Sequence, residues 1–465
     1  YSAYTTSGYK IALLPDAAPL KLDGNDYIPA MKFVPKTTGE EKDEDWKALA
    51  NFDDSILPVA MPKPYKTIFS SMMYFPTLRI DTYNPENTGL ALFKPGLMLY
   101  SSDVLGRLEM LASGAINVKG ERDLYLSFTY KDKLPLLSAF GVYPAVTLEV
   151  FNVTRATRSE IALPLDTVGV DVSFNLLEFA ALVRHNLFNS HTQLELGYRH
   201  SRYTSTVGSF ENPETQQLYP ARDNLYLIGN TLNLSLRHHE MVPTRDGEIN
   251  PVGLRLGLYY EYAFNRFNPN GDYDFDASTG MLLPRYTDFN FHRLEATMFV
   301  ASRLPGWLHT LSVKLRGGTI FGPPVDDFFN FYAGGITGMQ GYSFYALGGN
   351  ELYHANITYR FPIIASMDLR VGHLLFDKLY GGIFYDAGDA VAEQTQFTAK
   401  GVKQDVGFEI RLETYSFSMY PTRIFFSGPY GLSDFTRTFN LRQVQYGREW
   451  RWYVGVLFGF DLSDK

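Results

Sequence analysis

Val252-Gly253-Leu254-Arg255-Leu256-Gly257-Leu258-Tyr259-Tyr260-Glu261-Tyr262-Ala263-Phe264 is the stretch that decides the fold. Val252, Leu254, Leu256, Leu258, Tyr260, Tyr262 and Phe264 fall on one side of an extended chain; Gly253, Arg255, Gly257, Tyr259, Glu261 and Ala263 fall on the other. Successive side chains of a strand point to opposite faces, so this is a strand with one oily and one polar face. The pattern returns with Tyr353, Ala355, Ile357, Tyr359 and Phe361 against His354, Asn356, Thr358 and Arg360. It returns again with Val406, Phe408, Ile410 and Leu412 against Gly407, Glu409, Arg411 and Glu413. A soluble sandwich alternates as well. Here, however, the apolar faces end in Tyr, Phe and Trp, the amphipathic rings of a membrane interface, which favours an all-β transmembrane antiparallel barrel. In that reading Arg360, Glu409, Arg411 and Glu413 are lumen charges.

Working outward, the same alternation predicts sixteen strands, at 75–82, 93–101, 106–117, 122–131, 143–153, 165–177, 191–203, 224–239, 252–265, 289–302, 308–320, 353–363, 379–387, 404–414, 420–428 and 450–461. An even number suits a single-chain outer-membrane barrel. The long connections 204–223, 266–288, 321–352 and 429–449 all follow odd-numbered strands. Such barrels combine long extracellular loops with short periplasmic turns, which places both termini in the periplasm and the chain in the bacterial outer membrane.

Composition agrees. The 465 residues include Tyr 32, Phe 35 and Gly 39, yet 20% are charged and the mean hydropathy is −0.15. No run approaches the ~18 apolar residues of a spanning helix. With Cys 0, disulfides and thiolate metal sites are excluded. The formal charge of −8 argues against nucleic acid as a partner. The chain opens without Met or an apolar leader, so a mature or truncated protein is expected.

Ahead of the barrel, residues 1–14 read as one or two short strands. Their phrase Tyr-Ser-Ala-Tyr-Thr-Thr-Ser-Gly-Tyr-Lys-Ile resembles the repeat of a TolB-like propeller blade. The resemblance implies the remnant of a preceding periplasmic domain. Residues 15–74, with the acidic run Glu40 to Asp45, are expected to be a solvated linker and lead-in, and 75–465 the barrel.

The connection after the eleventh predicted strand is both aromatic and glycine-rich. It reads Phe331-Tyr332-Ala333-Gly334-Gly335, then Gly338-Met339-Gln340-Gly341-Tyr342, then Gly348-Gly349-Asn350, and the next strand ends Tyr359-Arg360-Phe361-Pro362. A loop of this length and content is poor solvent filler, and folding it into a wide lumen would bury its rings. These residues resemble the sixth extracellular loop of the BamA/TamA-like assembly-factor superfamily, the bacterial surface antigen barrels. The resemblance implies a lumen-tucked loop between strands 11 and 12, whose Arg meets an acidic residue on strand 13. That strand carries Asp386-Ala387-Gly388, so Asp386 matches the acidic position, with Gly388 beside it. The Arg position is Gln340, which can donate one hydrogen bond but cannot form a bidentate ion pair. Either the loop is held less tightly, or a lumenal Arg such as Arg360 or Arg411 supplies the charge.

Other constellations fail as chemistry. Asp272, Asp274 and Asp276 begin like an EF-hand loop, but Ala277 and Leu283 stand where Gly and Glu are needed. His238, His239 and Glu240 are adjacent, and adjacent strand residues face opposite sides. No phosphate loop or nucleophile elbow is present. The chain is therefore expected to be no enzyme and to need no metal or cofactor. The resemblance implies insertion or translocation of outer-membrane or surface proteins. Expected partners are outer-membrane lipids, client barrels or surface proteins, and periplasmic or lipoprotein factors. The alternative is a passive channel, or a membrane anchor for a propeller binding module.

Overall fold

A computed structural model describes residues 2–5, 8–11, 71–81 and 87–458, apart from 104, 133, 140, 163–166, 214, 245, 248, 277, 279, 392–400, 417–419 and 440–441. Nearly all of it is antiparallel sheet. The chain divides into two units, Tyr1–Lys66 and Thr67–Lys465. In the first, Ser2–Thr5 pairs with Gly8–Ile11 as a small hairpin. The expected linker falls largely outside the described residues.

The second unit contains sixteen long strands. They are β1 (Ser71–Ile80), β2 (Phe93–Ser102), β3 (Leu108–Ile116), β4 (Arg122–Tyr130), β5 (Ala145–Ala162), β6 (Thr167–Asn186), β7 (Thr192–Val207) and β8 (Arg222–Met241). They continue as β9 (Gly253–Phe267), β10 (Thr287–Arg303), β11 (Thr310–Phe321), β12 (Glu351–Ile364), β13 (Leu374–Val391), β14 (Lys403–Ser416), β15 (Tyr420–Gly431) and β16 (Tyr453–Phe458). A stub, Leu369–Val371, pairs with the start of β13. Strand order follows the sequence and returns from β16 to β1. Sequential neighbours are held by antiparallel registers, for example Leu256 opposite Met298 and Asp386 opposite Asp405, with bulges at Leu225/Leu227, Pro362/Ile364 and Phe376/Lys378. At the β16–β1 junction, among the described residues, no partner register is defined.

Several strands outrun their sequence-based bounds. β5 continues to Ala162, where Thr154, Arg155, Thr157, Arg158 and Ser159 put polar residues on both faces, and β6 continues to Asn186, where Ala180 and Leu182 stand at inward positions and blur the oily–polar contrast. β1 begins at Ser71, which puts Pro76 inside the strand, opposite Leu97.

The barrel is oily outside and polar inside. Leu232, Leu234 and Leu236 of β8 and Leu256 and Leu258 of β9 are exposed, while Asn233 and Ser235 are buried. An exposed apolar belt backed by buried polar residues is the burial pattern of a membrane barrel. Aromatic rings mark both ends of the belt. Trp307, His309, Tyr359 and Phe361 cluster near the turns that follow even-numbered strands. At the opposite end Tyr262, His292 and Phe321 stack, as do Trp450 and Trp452. No helix among the described residues is long and apolar enough to cross a membrane, and strands do the crossing.

Candidate functional site

The β11–β12 connection, residues 322–350, folds into the lumen. Its Phe329, Phe331, Ala333, Met339, Tyr342, Ala346 and Leu347 form one apolar cluster with wall residues including Leu227, Phe267, Phe291 and Leu352. Met339 is 0% and Tyr342 1% exposed. Burying such side chains stabilises the tucked state by roughly 1.5–3 kcal/mol each. On one side, Phe328 packs edge-on against Tyr203 of β7, and Arg293 of β10 donates to the Phe329 carbonyl.

On the other side the motif meets the last four strands. The Gly341 N–H donates to Asp405 Oδ2 of β14 at 2.8 Å. Gly341 is required there: a Cβ would lie 2.6 Å from Asp405 Cβ and 3.0 Å from Gly431 Cα. Tyr342 Oη donates to the Gln404 carbonyl at 2.5 Å and accepts from the Ser433 N–H at 2.9 Å. Gln340 Oε1 accepts from Ser427 Oγ of β15 at 2.6 Å, and its carbonyl accepts from Tyr453 Oη of β16 at 3.0 Å. Arg437, in the hairpin after β15, donates to the carbonyls of Ala346 at 3.0 Å, Gly348 at 2.6 Å and Ala390 at 2.9 Å. Gly338 lies against Ala333, where a Cβ would meet the Ala333 carbonyl oxygen at 2.0 Å.

The expected Gln340–Asp386 contact is not the one formed. Asp386 is fully buried and accepts from His354 Nε2 and Asn356 Nδ2 of β12, both at 2.8 Å. The loop instead reaches Asp405, the cross-strand neighbour of Asp386. The Gln340 side chain extends to the level of Glu409, which lies opposite Ser427. Gly388 sits against His354, with room for no side chain: a Cβ would be 2.9 Å from its Cα. Nor do Arg360 and Arg411 supply the missing charge, because both pair with Glu409. Glu413 is buried against Lys378 at 2.8 Å. The four charges thus belong to two ion-paired groups, Arg360 and Arg411 with Glu409, and Glu413 with Lys378.

Asp405, Ser427, Tyr453 and Arg437 were missed by sequence reasoning. Asp405 was within reach, since it extends the inward series Gly407, Glu409, Arg411 by one step of two. The others depend on where the loop lands. The EF-hand-like acids line a hairpin, Tyr273–Asp276 with Met281–Pro284, where Arg285 pairs with Asp272 and Asp274. Among the described residues no three His, Asp or Glu side chains are grouped to hold a metal.

A sixteen-stranded antiparallel barrel, oily outside and filled by a loop fastened to its final strands, defines an outer-membrane β-barrel. The Omp85 superfamily domain matches residues 112–427, and the chain belongs to that superfamily. Among solved structures it is similar to BamA from Haemophilus ducreyi lacking POTRA domains 1-3, at 10% identity and TM-score 0.48, covering 84% of this chain and 71% of that one. It is also similar to CdiB from Escherichia coli, at 13% identity and TM-score 0.47, covering 86% of this chain and 64% of that one. For CdiB from Acinetobacter baumannii the values are 11% and 0.41, with coverage of 79% and 62%. The chain thus spans less than two thirds of either CdiB. No curated protein matches it in sequence.

Proposed function

We propose that this barrel inserts or translocates other outer-membrane or surface proteins, working through the seam between β16 and β1. The observation that carries the reading is the link from the loop motif to the seam: Tyr453 of β16 donates to the Gln340 carbonyl. Among the described residues β16 pairs with β15 over Tyr453–Phe458, and Tyr453, at its start, is the residue that touches the motif. A client strand could pair with an edge freed there, because an unpaired strand edge is a template for another chain. In this reading the long odd-side loops are extracellular, both termini are periplasmic, and a periplasmic domain precedes residue 15. Clients and periplasmic or lipoprotein factors would meet the even side.

The test is a seam lock. Leu78, Val454 and Val456 are all exposed on the lipid side of the end strands, and cysteine pairs scanned between β1 and β16 from these positions would identify a facing pair that staples the seam. The expected result is a folded barrel that no longer supports accumulation of client barrels or surface proteins until reductant is added. A locked barrel with full activity would refute the seam mechanism and favour a passive channel or an anchor.

A further inference from the structure

The turn between β8 and β9, residues 242–252, also enters the lumen, from the even-side end opposite the β11–β12 loop. Asp246, Ile249 and Asn250 are 4%, 1% and 0% exposed. Asp246 accepts from Arg303 of β10, from Tyr380 Oη of β13 at 2.8 Å and from Asn250 Nδ2 at 3.0 Å. Asn250 Nδ2 also donates to the Leu308 carbonyl at 3.2 Å, and Arg411 of β14 to the Ile249 carbonyl at 3.4 Å. A turn rooted on β8 and β9 is therefore fastened to β10, β13 and β14. The re-entry into β9 is shaped for this course. Gly253 has φ +135, and a Cβ there would meet the Glu240 carbonyl oxygen at 2.4 Å.

A carboxylate is costly to bury unless it is paired and hydrogen-bonded. An ordinary surface turn has no reason to bury one, whereas a turn that must be held inside needs an anchor whose donors come from separate strands. We propose that residues 242–252 are a lumenal strap, latched by Asp246, that closes part of the even-side mouth of the barrel. Passage is then left to the cavity of about 1000 Å³ on the other side, lined by Arg184, Gln193, Arg237, Arg255, Tyr259 and Glu295. The strap is separate from the β11–β12 loop and acts whether or not the barrel is an insertase.

Ion conductance of the purified full chain in planar lipid bilayers tests this, with heat-modifiable migration reporting that each variant is folded. Asp246→Ala is expected to raise mean conductance at least threefold. Tyr380→Phe, which removes one of the donors, should raise it less. Replacing 243–251 by Gly-Ser-Gly should reproduce or exceed the Asp246→Ala level, and Asp272→Ala in the opposite-side hairpin should leave conductance at the parent value. Parent-level conductance in a folded Asp246→Ala protein overturns the proposal. If that variant does not fold, parent-level conductance in the shortened-turn protein overturns it.

Discussion

Tyr342→Phe isolates what holds the motif loop in place. The substitution keeps the ring, which packs at 5.4 Å from Phe435, and removes only the hydroxyl. That hydroxyl satisfies two backbone groups, the Gln404 carbonyl and the Ser433 N–H. A hydrogen bond contributes roughly 0.5–1.5 kcal/mol net, and a buried group left without a partner costs about 1–3 kcal/mol. Losing both bonds should therefore weaken docking by about 2 kcal/mol, which is roughly 30-fold in the opening equilibrium at 1.4 kcal/mol per tenfold. The chain has Cys 0, so a single thiol reports cleanly. Ala346 is 0% exposed and sits in the loop, which makes Ala346→Cys a suitable reporter. In that background Tyr342→Phe should label roughly 30 times faster, provided reclosing outpaces labelling. Tyr345→Phe, at a ring 62% exposed, should label within twofold of the parent. Equal labelling of the two variants would refute the claim that the Tyr342 hydroxyl fastens the loop.

Two further outcomes follow from the barrel and its strap. Leu256→Arg puts a charge on the lipid face at a cost of about 2–4 kcal/mol near the bilayer midplane, so it should weaken heat-modifiable migration more than lumen-facing Arg255→Leu; equal tolerance would mean the faces are misassigned. At Asp246 burial raises the carboxyl, but donation from Asn250, Tyr380 and Arg303 outweighs it and holds the group below its ordinary range. A depressed carboxylate stabilises the latched state above the ordinary carboxylate value of about 4, and that contribution is lost as pH falls through the lower, latched-state value. The groups facing the latch are Arg303 and Tyr380, with Arg411 against Ile249 beside it. Conductance should therefore stay flat from neutral pH to about 5 and rise only below about 4, and a flat profile in Asp246→Asn should accompany it.

Alternation made most of the barrel legible, because each membrane-crossing strand must satisfy lipid on one face and water on the other. It faded wherever that demand ends. β5 beyond Thr154 is polar on both faces, and β6 beyond Leu177 carries Ala180 and Leu182 at inward positions, so neither extension was legible. The motif loop was legible from its glycines and rings, but its landing place was not. Asp386 and Asp405 share one row of the lumen wall, and only the docked loop distinguishes them. The strap was hidden for a different reason. Asp246 sits in a stretch with Pro243, Thr244 and Gly247 that reads as an ordinary turn, and its partners Arg303 and Tyr380 lie 57 and 134 residues away.

The two internal segments enter from opposite ends, yet both are moored to β13 and β14. Arg437 ties the upper one to the Ala390 carbonyl and Gly341 ties it to Asp405, while Tyr380 and Arg411 hold the lower one. That stretch of wall behaves like a splinted plank: to bend it, bonds in both mouths must break together. A wall splinted at both mouths gives little, so a load that pries the cylinder apart is passed to the strands on either side of β13 and β14 and not absorbed there.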